Sequence, residues 1–122
     1  ANWERTQASA LMETWYKTYG EQIEMIICNN DDMALGVVDA LERADFNFNN
    51  IVGIDGTPQG INAVKEGKIL GTVMSDTTLH AKAIFDIAYV LTTGGDVSAV
   101  VPLEVNKYVR IEQKKLTLRE IE

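Results

Sequence analysis

The sequence is poor in the residues that carry much of protein chemistry: one cysteine, one histidine and two prolines in 122 residues, with aromatics at 7%. The lone Cys28 has no partner for an internal disulfide, so a disulfide scaffold is excluded and the redox compartment stays open. At a strand end, it reads as a small buried hydrophobe. The lone His80 lies just inside a helical stretch, with no Ser or Cys nucleophile at a recognisable elbow, and reads as a surface or interface residue. Basic residues are also scarce, 11 against 18 acidic, for a net charge of −7. That balance argues against a nucleic-acid partner, because phosphate binding needs clustered Lys and Arg. No run approaches the roughly 18 apolar residues that a membrane helix needs. There is no internal repeat, low-complexity tract or Pro/Ser-rich linker.

What is abundant is apolar, 46% of the chain, which excludes a disordered or collagenous chain and suits one domain with a real core. The chain opens on Ala1-Asn2-Trp3 without an initiating Met or a signal peptide, and is read as a processed or excised piece.

Hydrophobic periodicity predicts the element order α-β-α-β-α-β-α-β-β. Ala8, Leu11, Met12, Trp15 and Tyr19 recur at helical spacing and are expected inward, with Gly20 as the stop. Ile23–Cys28 is a nearly continuous apolar run, as in a strand covered on both faces. Met33, Leu35, Val37, Val38 and Leu41 mark the next helix, then Ile51–Ile54 a strand. Thr57 as N-cap with Pro58 at the first helical position opens a third helix, which stops at Gly67. Gly71–Met74 is a strand, and Leu79, Ala83, Ile84, Ile87, Ala88 and Leu91 are the expected inward face of a fourth helix closed by Gly94-Gly95. Two more strands are expected at Val100–Val105 and Tyr108–Ile111, joined by a turn at Asn106-Lys107. Strands separated by single helices imply right-handed crossovers, hence an α/β domain with a mostly parallel sheet flanked by helices.

In such sheets ligands bind beyond the carboxyl ends of the strands. Three loops leave those ends here: Asn29-Asn30-Asp31-Asp32, Asp55-Gly56-Thr57 and Ser75-Asp76-Thr77-Thr78. Their amides, carboxylates and hydroxyls suit a neutral polyhydroxy ligand, and they lack the Gly-rich cradle and Lys that phosphates require. Helix capping alone explains one such residue per loop, but each loop carries two to four. A two-metal phosphotransfer site on Asp31, Asp55 and Asp76 ranks lower, for want of an acidic doublet with a Thr and a Lys. Trp3, beside Asn2 and Glu4, has the makeup of a ring that stacks on a sugar face; an N-terminal staple fits its spacing equally well.

Asn29–Gly36, Val52–Pro58 and Lys65–Val73 together resemble the C-terminal half of type I bacterial sugar-binding proteins, the capturing subunits of ATP-driven importers. Asn2–Ala8 and Ala81–Asp86 point to the galactose/glucose-binding branch, and the likeness covers nearly the whole chain. The resemblance implies that Trp3 stacks on a hexose such as galactose or glucose while Asn30 and Asp55 bind its hydroxyls. Ser75 stands where that branch has a further Asn, which puts the hexose preference in question. Glu24, six residues before Asn30, matches a calcium ligand of that branch, the rest of whose loop would lie upstream; a carboxylate within an apolar strand also calls for a cation. A structural calcium at an incomplete site is therefore expected, and no other cofactor.

The same resemblance implies a non-enzymatic, extracytoplasmic protein, periplasmic or a cell-surface lipoprotein. It would close two lobes on a small-molecule sugar and signal to membrane importer subunits and a chemoreceptor. Residues 1–76 would form the units of the C-terminal lobe, 77–97 a hinge-crossing helix packed on the missing N-terminal lobe, and 98–122 the return strands and tail. The uncovered helix face would meet that lobe or another copy of the chain. The alternative is the effector-binding core of a lactose-repressor-type transcription regulator.

Overall fold

The computed structural model describes residues 1–105 and 108–121. Its elements are helix α1 (Arg5–Tyr19), a 3-10 turn (Gly20–Gln22), strand β1 (Ile26–Ile27), helix α2 (Asp31–Arg43), strand β2 (Ile51–Asp55), helix α3 (Pro58–Lys65) and strand β3 (Gly71–Ser75). They continue with helix α4 (Thr77–Thr93), a second 3-10 turn (Val97–Ala99), strand β4 (Gln113–Thr117) and helix α5 (Leu118–Ile121). The four strands form one sheet in the order β1-β2-β3-β4. Both β1–β2, with Ile26 opposite Ile51, and β2–β3, with Asp55 opposite Met74, are parallel. The expected α/β class with a mostly parallel sheet is thus present.

The chain falls into two compact units, residues 1–74 with 114–122, and residues 75–113. In the first, α1 and α2 lie side by side and α2 covers β2. Met12, Ala34, Leu41, Ile51, Val64 and Ile69 form the centre of the core. The helix pair is close because Gly36 has no side chain: a Cβ there would lie 2.2 Å from the backbone oxygen of Arg5. The same pair is fastened at the surface by a two-pronged ion pair, Arg5 Nε and Nη2 each 2.7 Å from an Asp39 carboxylate oxygen. The helix-start reading at Thr57 holds, since its hydroxyl accepts from the Gly60 N–H at 3.0 Å with Pro58 as the first helical residue.

Three readings from periodicity are corrected. The buried stripe of α1 is Ala8, Ser9 and Met12, with Tyr16 packed at its edge, whereas Leu11, Trp15 and Tyr19 are exposed. Leu11 and Trp15 instead flank the outer side of β1 in a groove of about 170 Å³ shared with Ile26 and Ile27. Strand β1 is only two residues long and stands at the sheet edge, with Ile27 71% exposed, so it is covered on one face rather than two. The closing strand is Gln113–Thr117, not Val100–Val105 or Tyr108–Ile111; those stretches hold a single antiparallel bridge, Glu104 to Tyr108. A lysine-bearing strand suits a sheet edge, where one side meets water and apolar alternation is not required. The turn expected at Asn106-Lys107 lies outside the described residues.

In the second unit, α4 begins at Asp76, whose Oδ1 accepts from the Leu79 N–H at 2.9 Å, and ends at Gly94 in the left-handed region. Its expected inward face is not buried. Leu79, Ile84 and Leu91 are exposed, along with Phe85 and Tyr89, whose rings stack 6.3 Å apart, and Val90 is the residue of α4 that is buried.

Candidate functional site

The carboxyl ends of the first two strands meet around one side chain. Asp31 is the first residue of α2 and is 0% exposed, yet among the described residues no cationic side chain pairs with it. Its Oδ2 accepts from the Thr57 N–H at 2.7 Å and the Thr57 hydroxyl at 3.0 Å, and its Oδ1 accepts from the Thr72 hydroxyl at 2.6 Å. A buried carboxylate is tolerable when its lone pairs are filled by donors and it sits at the positive end of a helix, and both conditions hold. Room for it comes from two glycines. A Cβ on Gly53, in β2, would lie 2.3 Å from Asp31 Oδ1, and one on Gly60, in α3, 2.2 Å from Oδ2. Asp31 therefore ties α2, β3 and the loop between β2 and α3 together.

Asn30, the residue before it, caps α2: its Oδ1 accepts from the Met33 N–H at 2.9 Å. Its Nδ2 donates to the Trp3 carbonyl at 3.4 Å, so the structure brings Asn30 and Trp3 together. The capping explanation is thus correct for Asn30. Trp3 is 66% exposed and stands on a tight turn in which Asn2 (φ 51°) and Trp3 (φ 59°) are both left-handed and Glu4 N–H donates to the Ala1 carbonyl. The indole is therefore a largely exposed surface ring rather than a core residue.

Asp55 ends β2 with its side chain exposed and with φ at 116°, a conformation that L side chains rarely adopt. Partial desolvation, then the negative charges of Asp31 and Asp32, hold its carboxyl above the ordinary carboxylate range. The next two amides are anchored: Gly56 N–H donates to Thr72 Oγ1 at 3.2 Å and Thr57 N–H to Asp31. Such strain at a strand end, beside a helix N-terminus, is a recurrent mark of functional sites.

Ser75 belongs to the second unit, where its Oγ accepts from Gln113 Nε2 at 3.3 Å. Glu24 is exposed and precedes β1 rather than lying within it, so it is not a carboxylate enclosed in an apolar strand. Among the described residues no three His, Cys, Asp or Glu side chains stand together as a metal site. His80 is exposed, and burial pushes the Cys28 thiol up to about 11. The buried role of Asp31 is what sequence reasoning missed, having weighed the residue as a loop carboxylate and as a lower-ranked metal ligand. Gly53 inside a strand and Gly60 inside a helix were its available signal, because interior glycines often mark a close approach.

Among the described residues no helix is long and apolar enough to cross a membrane. The chain matches the periplasmic binding protein domain family over residues 1–96. It is 41% identical over 97 residues to a xylitol-binding protein of Mycolicibacterium smegmatis, covering 80% of this chain and 28% of that protein. It is 30% identical over 111 residues to the ribose import binding protein of Salmonella typhimurium, covering 90% of this chain and 37% of the other. A solved ABC transporter solute binding protein from Bacillus halodurans with bound myo-inositol superposes with a TM-score of 0.79 and 30% identity, over 97% of this chain and 38% of that one. The chain thus spans about a third of the length of these relatives. With an α/β fold, polar loops at parallel strand ends and a family match over most of its length, the chain belongs to the periplasmic binding protein domain family.

Proposed function

We propose that this chain supplies one lobe of an extracytoplasmic solute-binding subunit that captures a neutral polyhydroxy compound for an ATP-driven importer. The observation that carries the reading is Asp55. Its carboxylate is exposed at a parallel strand end, on a strained and doubly anchored turn that faces Asp31 and Asp32, the residues that follow Asn30, whose Nδ2 in turn donates to the Trp3 carbonyl. A carboxylate accepts strongly from vicinal hydroxyls, an exposed indole face suits the C–H face of a sugar, and neither suits an anion. The named ligands of the relatives, a pentitol, a pentose and a cyclitol, share that chemistry. Within the class, a hexose such as galactose or glucose is the narrower choice, resting on the Asn2–Ala8 and Ala81–Asp86 likeness.

The test is a fluorescence titration of the protein at its full natural length against galactose, glucose, ribose, xylitol and myo-inositol. It is run in a Trp15→Phe background and repeated with Trp3→Phe added, so that the difference between the two is the signal of Trp3. Saturable quenching or enhancement by at least one compound is expected, and its loss in Asp55→Ala. No response to any of the five, or an unchanged response in Asp55→Ala, overturns the reading.

A further inference from the structure

We propose that Asp31 is the positioning residue of this site, a buried carboxylate whose hydrogen bonds hold the Asp55–Gly56–Thr57 turn in the form that presents Asp55 to the ligand. The inference rests on Asp55 being a ligand residue and names the group that acts through it. Two peptide units follow Asp55, and Asp31 controls both N–H groups. It takes the Thr57 N–H directly at 2.7 Å, and it orients the Thr72 hydroxyl, which donates to Asp31 at 2.6 Å and accepts from the Gly56 N–H at 3.2 Å. A hydroxyl has one proton, so giving it to Asp31 leaves its lone pairs for Gly56. The polarity of the relay is thereby set by the carboxylate.

A positive φ at an aspartate persists only where the surroundings over-determine it, and here the over-determining bonds converge on one side chain. Asp31 is itself enclosed, with no exposed surface and with Gly53 and Gly60 closing around its two oxygens. It is out of a ligand's reach, and Asp55 is exposed. The division of labour follows: Asp31 is the fixed anchor and Asp55 the contacting group.

The experiment compares Asp31→Asn, Thr72→Val, Thr72→Ser and Asp55→Ala with a core control, Val64→Ala, in the protein at its full natural length. Calorimetry uses whichever of galactose, glucose, ribose, xylitol or myo-inositol binds, and carboxyl-carbon NMR follows the titration of Asp55. An Asn can offer only one acceptor oxygen and places an unwanted donor among donors, and Val removes the relay hydroxyl at constant shape. We expect at least a tenfold loss of affinity in Asp31→Asn and Thr72→Val, with less than a twofold change in Thr72→Ser and in Val64→Ala. Asp55 in Asp31→Asn should titrate at lower pH, because one of the two negative charges facing it, those of Asp31 and Asp32, is gone. Affinity within twofold of the parent in Thr72→Val, with binding abolished in Asp55→Ala, would overturn the positioning role alone. Retained affinity in Asp55→Ala would overturn the site itself. Should Asp31→Asn not fold, the Thr72 pair decides the question.

Discussion

Oδ1 of Asp31 accepts a 2.6 Å hydrogen bond from the hydroxyl of Thr72, 41 positions further along the chain, and both residues are buried. The bond joins a helix N-terminus to the next strand but one in the sequence, across the loop that carries Asp55. A short bond to an ionised acceptor in a water-poor setting is among the stronger single contacts a domain makes, and costly to leave half-made. The residues that make room for it are therefore as constrained as the partners themselves.

Gly60→Ala tests that constraint. Alanine favours a helix interior over glycine by about 1 kcal/mol, so helix propensity alone would stabilise the protein. The new Cβ would lie 2.2 Å from Asp31 Oδ2, on a carboxylate that cannot withdraw without losing its donors. We expect a net loss of about 2 kcal/mol or more in urea unfolding. A stabilised variant would show that Asp31 has freedom the structure does not suggest.

Gly36→Ala should be damaging for a different reason. Its Cβ meets the backbone oxygen of Arg5 at 2.2 Å, and a backbone atom moves only if the whole of α1 moves. A destabilisation of about 2 to 3 kcal/mol is expected, together with weaker packing of Met12 and Ala34. Thermal unfolding within a degree of the parent would contradict the close approach of the two helices.

Asp55→Gly should separate stability from function. Glycine adopts a φ of 116° freely, so the substitution relieves strain of the order of 1 to 3 kcal/mol while removing the proposed ligand contact. Glycine's greater freedom in the unfolded chain offsets up to about 1 kcal/mol of this. The expected result is a melting temperature equal to or above the parent's and no detectable sugar binding. A clear drop in melting temperature would mean that the Asp55 side chain holds the fold rather than the ligand.

Acid should weaken the α1–α2 clasp. Hydrogen bonding to Arg5 holds the Asp39 carboxyl below its ordinary value, against a smaller opposing effect of burial. A group depressed in the folded state contributes stability that is fully present above its unfolded pKa and is lost as pH falls through the folded one. Because both side chains are substantially exposed, the pair is worth only about 0.5 to 1 kcal/mol. Arg5→Met should therefore flatten the acid limb of the stability curve below pH 4 by about that amount. An identical limb in parent and variant would show the pair to be energetically silent.

Cys28 should be inert while the protein is folded. Its side chain is buried and its thiol is pushed up to about 11, so the thiolate is a minute fraction at pH 7.5. Alkylation by iodoacetamide is expected to proceed at the rate of opening in native buffer and rapidly in 6 M guanidinium. Fast labelling of the native protein would place Cys28 at the surface.

Much of the fold is legible in the amino-acid order because local physics decides it. Apolar runs followed by Asn, Asp or Thr end a strand and cap the next helix, and Thr57-Pro58 can do little else than start one. The same loops, with Trp3 and the Asn29–Gly36 motif, carry the family and the candidate binding residues. Tertiary structure alone decided the rest, each time for a reason that sequence distance hides. Which flank of α1 is buried depends on where α2 lies, and that is set by Gly36. Whether Val100–Val105 or the lysine-bearing Gln113–Thr117 joins the sheet depends on which backbone reaches β3, since an edge strand needs no apolar alternation. Asp31 looks in sequence like one more solvated capping residue. It becomes the buried anchor only when Gly53, Thr57, Gly60 and Thr72, brought from three other segments, close around its two oxygens.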